Sequence, residues 1–189
     1  MALRHHRGLW QRSCAALALL GLISGQILSA QTKAQTPASD NILAEAAKAI
    51  GVKKCQNALS RLGAVTAYGS QKQEVLMDWN RQNPDTNPVF SLLGADYPNG
   101  AIAVSVVAVP DASGSGCSVS AERISVAPFT CESIAKTELA NYPVTTLLPR
   151  FKVYTDPTDS SSTVSLLDSP PGCLMIRRYV KFHWLPPKS

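Results

Sequence analysis

The stretch Ala101–Cys131, AIAVSVVAVPDASGSGCSVSAERISVAPFTC, decides the fold of this chain. It begins with an apolar run, passes through a loop of glycine and serine, and continues into a second run in which apolar side chains alternate with polar ones. Alternation with a period of two is typical of a β-strand, and such a loop joins two strands into a hairpin. The sequence therefore predicts strands at 101–109 and 117–127 at the centre of a sheet, with Cys117 opening the second strand and Cys131 just beyond its end.

The second of these strands changes phase along its length. Its apolar positions are odd-numbered up to Ala121 and even-numbered from Ile124 onward. Because the side chains of a strand alternate strictly between two faces, this shift predicts a β-bulge near Glu122 and Arg123.

Flanking segments supply helices and further strands. An N-terminal helix, or a pair interrupted at Gly51, is expected from Asp40 or Asn41 to about Gly63. The other predicted elements are a strand at 73–79, a short helix at 88–93, a helix from Thr130 to about Asn141, and strands within 144–155, 164–166 and 173–184. The sequence therefore predicts an α+β fold, with a largely antiparallel sheet of about five to six strands and the helices packed on one face.

The first thirty residues have the order of a secretory signal peptide. Three arginines precede an uncharged apolar run at 14–28, which is shorter than the ~20 residues needed to span a bilayer. We expect cleavage after Ala30 or Ala34, a disordered leader at 31–40, and a single globular domain at 41–187. The predicted location is periplasmic or secreted, with no transmembrane segment in the mature chain. No internal repeat is apparent in the sequence.

Removal of the signal peptide also changes the net charge of the chain. The whole sequence has 18 lysines and arginines against 13 acidic residues. Three of the bases lie in the first thirty residues, so their removal leaves a net charge of +2. A nucleic-acid partner is therefore not expected.

His183 is the only histidine beyond residue 30, and no cysteine pair has a zinc-knuckle spacing. Neither a metal nor another cofactor is therefore predicted.

Four cysteines remain after processing, and an even number in an exported chain predicts two disulfides. A continuous strand of ~33 Å separates Cys117 from residue 127, and the next four residues can return at most ~14 Å, too little to bring Cys131 back to Cys117. If strand directions alternate, Cys173 begins its strand at the same end of the sheet as Cys117. We therefore predict the pairs Cys117–Cys173 and Cys55–Cys131. If 121–123 were instead a turn, Cys117 would pair with Cys131, leaving Cys55–Cys173.

Candidate chemistry is sparse, because neither a nucleophile elbow nor a phosphate-binding loop is present. The strongest pattern is an alternating polar set on the last strand: Arg177, Tyr179, Lys181 and His183. These side chains are a candidate anion-binding face for a polysaccharide, a lipid headgroup or an acidic partner. A half-exposed strand with no function shows the same alternation.

The sequence thus predicts an exported, disulfide-stabilised protein with a non-catalytic binding or envelope-accessory role. It does not identify the partner; a protein or a component of the cell envelope is compatible with it. One alternative is a hydrolase whose site is assembled from distant residues; another is a secreted inhibitor or effector. A polar pocket beside His183 would favour the enzyme. A flat apolar patch on the sheet would favour partner binding, and a rigid projecting loop would favour the inhibitor.

Overall fold

The computed structural model describes residues 41–185, apart from 113 and 115. Within these residues three helices accompany eight strands that form one fully antiparallel sheet, in the order β1-β2-β3-β4-β8-β7-β6-β5. The predicted α+β class is confirmed, although the strands outnumber the expected five to six. The predicted signal peptide at 1–30, its cleavage and the predicted disordered segment at 31–40 lie outside the described residues. The elements are α1 (Ile42–Ala49), α2 (Gln56–Thr66), β1 (Lys72–Trp79), β2 (Val89–Tyr97), β3 (Gly100–Pro110), β4 (Cys117–Ala127), α3 (Cys131–Glu138), β5 (Val144–Leu148), β6 (Phe151–Thr155), β7 (Ser162–Ser169) and β8 (Gly172–Trp184).

The N-terminal helix pair forms as its sequence predicts. The backbone amide of Ala44 donates to the Asn41 side-chain oxygen at 3.0 Å, which caps the first turn of α1. Gly51 adopts a φ of +86°, a conformation that favours glycine, and this residue separates α1 from α2. Helix α3 begins in the same way, because the Ser133 amide donates to the Thr130 hydroxyl at 3.2 Å.

Two errors of element assignment explain the larger number of strands. The short helix predicted at 88–93 is wrong, because these residues belong to β2, whose buried and exposed side chains alternate from Val89 onward. The segment 144–155 contains two strands rather than one, because the chain turns at Pro149 and Arg150. The segment 88–93 offers too few apolar positions to separate a period of two from a helical period.

The bulge predicted near Glu122 and Arg123 is also wrong. Both residues pair in regular register with β3 and with β8. The apolar positions change phase because Ile124 and Val126 lie on the opposite face of the sheet, where Val126 remains 68% exposed. The irregularity between β4 and β8 lies between Cys117 and Val119, where β8 contains an extra residue.

The two disulfides differ from both predicted connectivities. Cys55 is bonded to Cys117 and Cys131 to Cys173, with Cα–Cα distances of 5.4 and 5.0 Å. Cys117 and Cys131 do lie at opposite ends of the sheet, as expected. The additional strand after α3 reverses the direction of β8, so that Cys173 pairs with Ala127 at the same end as Cys131. An error of one strand in the count therefore changed the predicted pairing.

All three helices lie on one face of the sheet, which we call the helix face. A first core forms between α1, α2 and β1–β4, and a second, smaller core forms between α3 and β6–β8. The opposite face, which we call the open face, is covered by no helix among the described residues. Large apolar side chains that remain exposed on the open face are Leu76, Phe90, Leu92, Val109, Val126, Leu148 and Phe182.

The chain repeats one arrangement of elements, although its sequence shows no repeat. A helix followed by four antiparallel strands occurs first as α2 with β1–β4 and again as α3 with β5–β8. In each half, the helix packs on the third and fourth strands, and a disulfide joins the start of the helix to the start of the fourth strand. The two fourth strands, β4 and β8, lie side by side and antiparallel, so the halves are related by an approximate twofold axis perpendicular to the sheet.

Candidate functional site

The predicted anion-binding face lies on β8, but its side chains make separate contacts. Arg177 donates to Glu138 at the end of α3, with Nη2 2.7 Å from Oε2. Tyr179 packs edge-on against Trp184, and its burial raises the pKa of its phenol above the ordinary value. Lys181 is exposed. A role in anion binding stays a prediction for these residues.

His183 is held by a carboxylate that the sequence reasoning missed. Its Nδ1 lies 2.9 Å from Asp111 Oδ2, and the Ser118 hydroxyl donates to the other oxygen of Asp111 at 3.0 Å. The carboxylate therefore lies between the hydroxyl and the imidazole. A serine nucleophile needs the imidazole between the hydroxyl and the acid. In this arrangement Asp111 fastens the end of β8 to the β3–β4 hairpin and does not activate Ser118.

The open face carries a continuous band of apolar side chains, which we call the apolar row. Backbone pairing places one of its members on each of five neighbouring strands, from β4 across β8, β7 and β6 to β5. The side chains at its two ends are 68% and 61% exposed. The members of the apolar row, in spatial order, are Val126, Leu174, Leu167, Phe151 and Leu148.

A second line of side chains runs beside the apolar row, displaced from it by two residues on each strand towards the centre of the sheet. It consists of Ile124, Ile176, Ser165 and Val153, which are also paired across β4, β8, β7 and β6. The two lines together form a patch that is about 19 Å long, from the ~4.8 Å spacing of strands, and about 7 Å wide. Exposed apolar patches that are contiguous in this way mark interaction surfaces more often than isolated exposed side chains do.

A cleft with a volume of about 740 Å³ lies on the helix face, between α3 and the strands β5–β7. Its floor consists of apolar or aromatic side chains that belong to the second core: Leu139, Tyr154 and Leu166. Five charged side chains line its rim: Glu132, Lys136, Arg150, Lys152 and Asp168. This volume is within the range of sites that bind small molecules.

The positive and negative charges of the rim compensate each other only in part. Lys136 donates to Glu132, with Nζ 2.7 Å from Oε1, and this contact lowers the pKa of the Glu132 carboxyl; Lys152 lowers it further. Arg150 and Lys152 form no ion pair within 4.0 Å of any carboxylate among the described residues. The sequence reasoning missed this site, because its residues come from four elements whose proximity depends on the order of the strands.

In the part of the chain that the structure describes, no three side chains of histidine, cysteine, aspartate or glutamate converge as metal ligands would. None of its helices is both long enough and apolar enough to cross a bilayer.

The described residues define a class: a disulfide-bonded α+β protein with a sheet face that no described helix covers and a cleft on the opposite face. No protein-family model matches the sequence, and no curated protein and no solved structure shows significant similarity to it.

Proposed function

We propose that this chain is an exported, non-catalytic binding protein that holds an amphipathic helix of a partner protein against the open face of its sheet. The observation that carries the proposal is the apolar row, which runs uninterrupted across five strands. Stable domains cover an apolar sheet face with a second layer, and the described residues supply such a layer on one side of this sheet only.

The dimensions of the patch favour a helix as its occupant. A length of about 19 Å corresponds to about 13 residues of α-helix, and a helix about 10 Å in diameter covers both lines of side chains. Helices that dock in this way present apolar residues at positions i, i+3, i+4 and i+7. The same sheet already packs against three helices on its other face.

Export is supported by two independent features. The apolar run behind a basic leader is the pattern of a signal peptide. All four cysteines beyond it form disulfides, and such bonds persist in oxidising compartments such as the periplasm or the cell exterior.

Site-specific photocrosslinking in cells that produce the protein tests the proposal. A photoreactive side chain is placed at Val126 in the apolar row or, as a matched control, at Val65 on the outer surface of α2, which is 71% exposed. We expect a discrete adduct with a second protein from position 126 and none from position 65. The absence of an adduct at 126, equal adducts at both positions, or an adduct with the mass of two copies of this chain would overturn the proposed helix partner.

A further inference from the structure

The cleft beneath α3 exists because the two halves of the chain are covered differently. In the first half, α1 packs on α2 and on β1, and completes the layer over the outer strands. In the second half, α3 packs on β7 and β8, and no other helix of the described chain covers β5 or β6. The cleft therefore occupies the place that α1 fills in the first half.

The sheet register shows one position at which the two halves differ in both charge and burial. In the first half, Val89, Ala108 and Val119 are paired side by side across three strands. The equivalent line in the second half is Lys152, Leu166 and Met175, because Val119 and Met175 each lie two residues after a fourth-strand cysteine. Val89 is 1% exposed in its core, whereas Lys152 is exposed in the cleft. A lysine thus stands over an apolar floor at a position where the other half has a buried valine.

The charges around the cleft indicate that a ligand there would be negatively charged. Three cations face two carboxylates there, and one cation, Lys136, is already paired with Glu132. Asp168 lies beside Arg150, since its amide donates to the Arg150 carbonyl at 3.3 Å, but the two side chains form no ion pair. One positive charge in the rim is therefore uncompensated, which suits a single anionic group and not a polyanion.

We propose that this cleft binds an anionic amphiphile, a molecule with an apolar body that lies on Leu139, Tyr154 and Leu166 and with one carboxylate or phosphate head that pairs with Arg150 and Lys152. The apolar body is sequestered from water by the floor of the second core. The two cations gain a charge-assisted hydrogen-bond partner that no carboxylate among residues 41–185, apart from 113 and 115, supplies. This site lies on the opposite side of the sheet from the apolar row and does not depend on the proposed helix partner.

Fluorescence titration of the purified, oxidised protein with an undecanoic acid that carries a dansyl group tests the proposal. We expect saturable binding to the wild type, and binding weakened about tenfold or more in the double variant Arg150→Gln/Lys152→Gln. The double variant Lys53→Gln/Lys54→Gln removes the same charge far from the cleft and is expected to bind like the wild type. The uncharged amide of the same probe should bind at least about tenfold more weakly than the acid.

Two further measurements locate the probe and define its head group. Ala135→Trp, which fills the cleft without changing its charge, should abolish binding, whereas Val126→Glu on the open face should leave it unchanged. Competition by decanoate and by decyl phosphate shows which head is preferred, and competition by either one supports the proposal. Equal binding to the Arg150→Gln/Lys152→Gln variant, equal binding of the amide, loss of binding in Val126→Glu, or the absence of saturable binding would overturn it.

Discussion

Glu122 and Arg178 face each other on the two central strands, and Arg178 Nε lies 3.2 Å from Glu122 Oε1 on the open face. Counting five residues from Cys117 leads to Glu122, and counting five from Cys173 leads to Arg178. Because the two cysteines occupy equivalent positions in the two halves, the approximate twofold axis passes between these paired side chains. The ion pair therefore marks the centre of the sheet and separates the apolar side chains of β1–β3 from the apolar row.

The ion pair itself is expected to contribute little to stability. Its side chains are 52% and 38% exposed, and exposed pairs of this kind contribute about 0.2–1 kcal/mol to the free energy of unfolding. We predict that Glu122→Gln and Arg178→Gln each lower that free energy by less than about 1 kcal/mol. A double-mutant cycle followed by urea unfolding measures the coupling, which should be favourable and should weaken in high salt. A coupling of zero, or one that does not change with salt, would contradict the predicted contribution of the ion pair.

Truncation of a side chain on the helix face of β2 should lower the free energy of unfolding much more than truncation of one on the open face. Leu93 is fully buried on the helix face, so Leu93→Ala should lower the free energy of unfolding by about 2–5 kcal/mol. Leu92, its neighbour in the chain, is 50% exposed on the open face, and Leu92→Ala should cost less than about 1 kcal/mol. Urea unfolding of both variants checks the difference. Similar losses in the two variants would contradict the assignment of this segment as a strand.

Each half should depend on its own disulfide. The bonds join residues 62 and 42 positions apart, and for loops of this length the chain-entropy relation gives about 4 kcal/mol each. We predict a loss of this size for the double variants Cys55→Ala/Cys117→Ala and Cys131→Ala/Cys173→Ala, measured by denaturant unfolding. Hydrogen exchange should show the greater local loss of protection in the half whose bond was removed. Uniform loss across both halves in both variants would contradict the two separate cores.

Asp156 should titrate at a lower pH than an ordinary aspartate. The Thr158 hydroxyl, followed by the Thr158 backbone amide, donates to its carboxylate, and these hydrogen bonds lower the pKa of Asp156 below its ordinary value. A carboxyl with a lowered pKa stabilises the fold at neutral pH, and this contribution is lost as the pH falls through the lowered value. Carboxyl NMR titration should show the low pKa in the wild type and a rise in Thr158→Ala. In Thr137→Ala, whose hydroxyl donates to the Ser133 carbonyl, the pKa of Asp156 should not change.

The sequence was sufficient to predict the features that depend on local chemistry. Capping by Asn41 and Thr130, the break at Gly51 and the central hairpin all follow from side chains within a few residues of each other.

The features that could not be predicted from the sequence depend on the number of strands and on contacts between residues far apart in the chain. The pairing of Cys131 with Cys173 depends on whether the chain reverses at Pro149, and one local turn therefore determines a connection between distant residues. Lys152 looks like an ordinary exposed residue of an alternating strand, and only the register with Leu166 shows that it stands over a core floor. Likewise, the apolar row draws single residues from five strands, and no segment of the chain shows it as a run.

Both proposed surfaces exist only if β8 lies beside β4 with Cys173 at the same end of the sheet as Cys131, and disulfide mapping tests this arrangement most directly. Trypsin places the four cysteines on four separate peptides, 55–61, 82–123, 124–136 and 153–177. Mass spectrometry of a digest under non-reducing conditions should find 55–61 linked to 82–123, and 124–136 linked to 153–177. A link between 82–123 and 153–177, or between 55–61 and 124–136, would contradict the order of the strands and with it both binding surfaces.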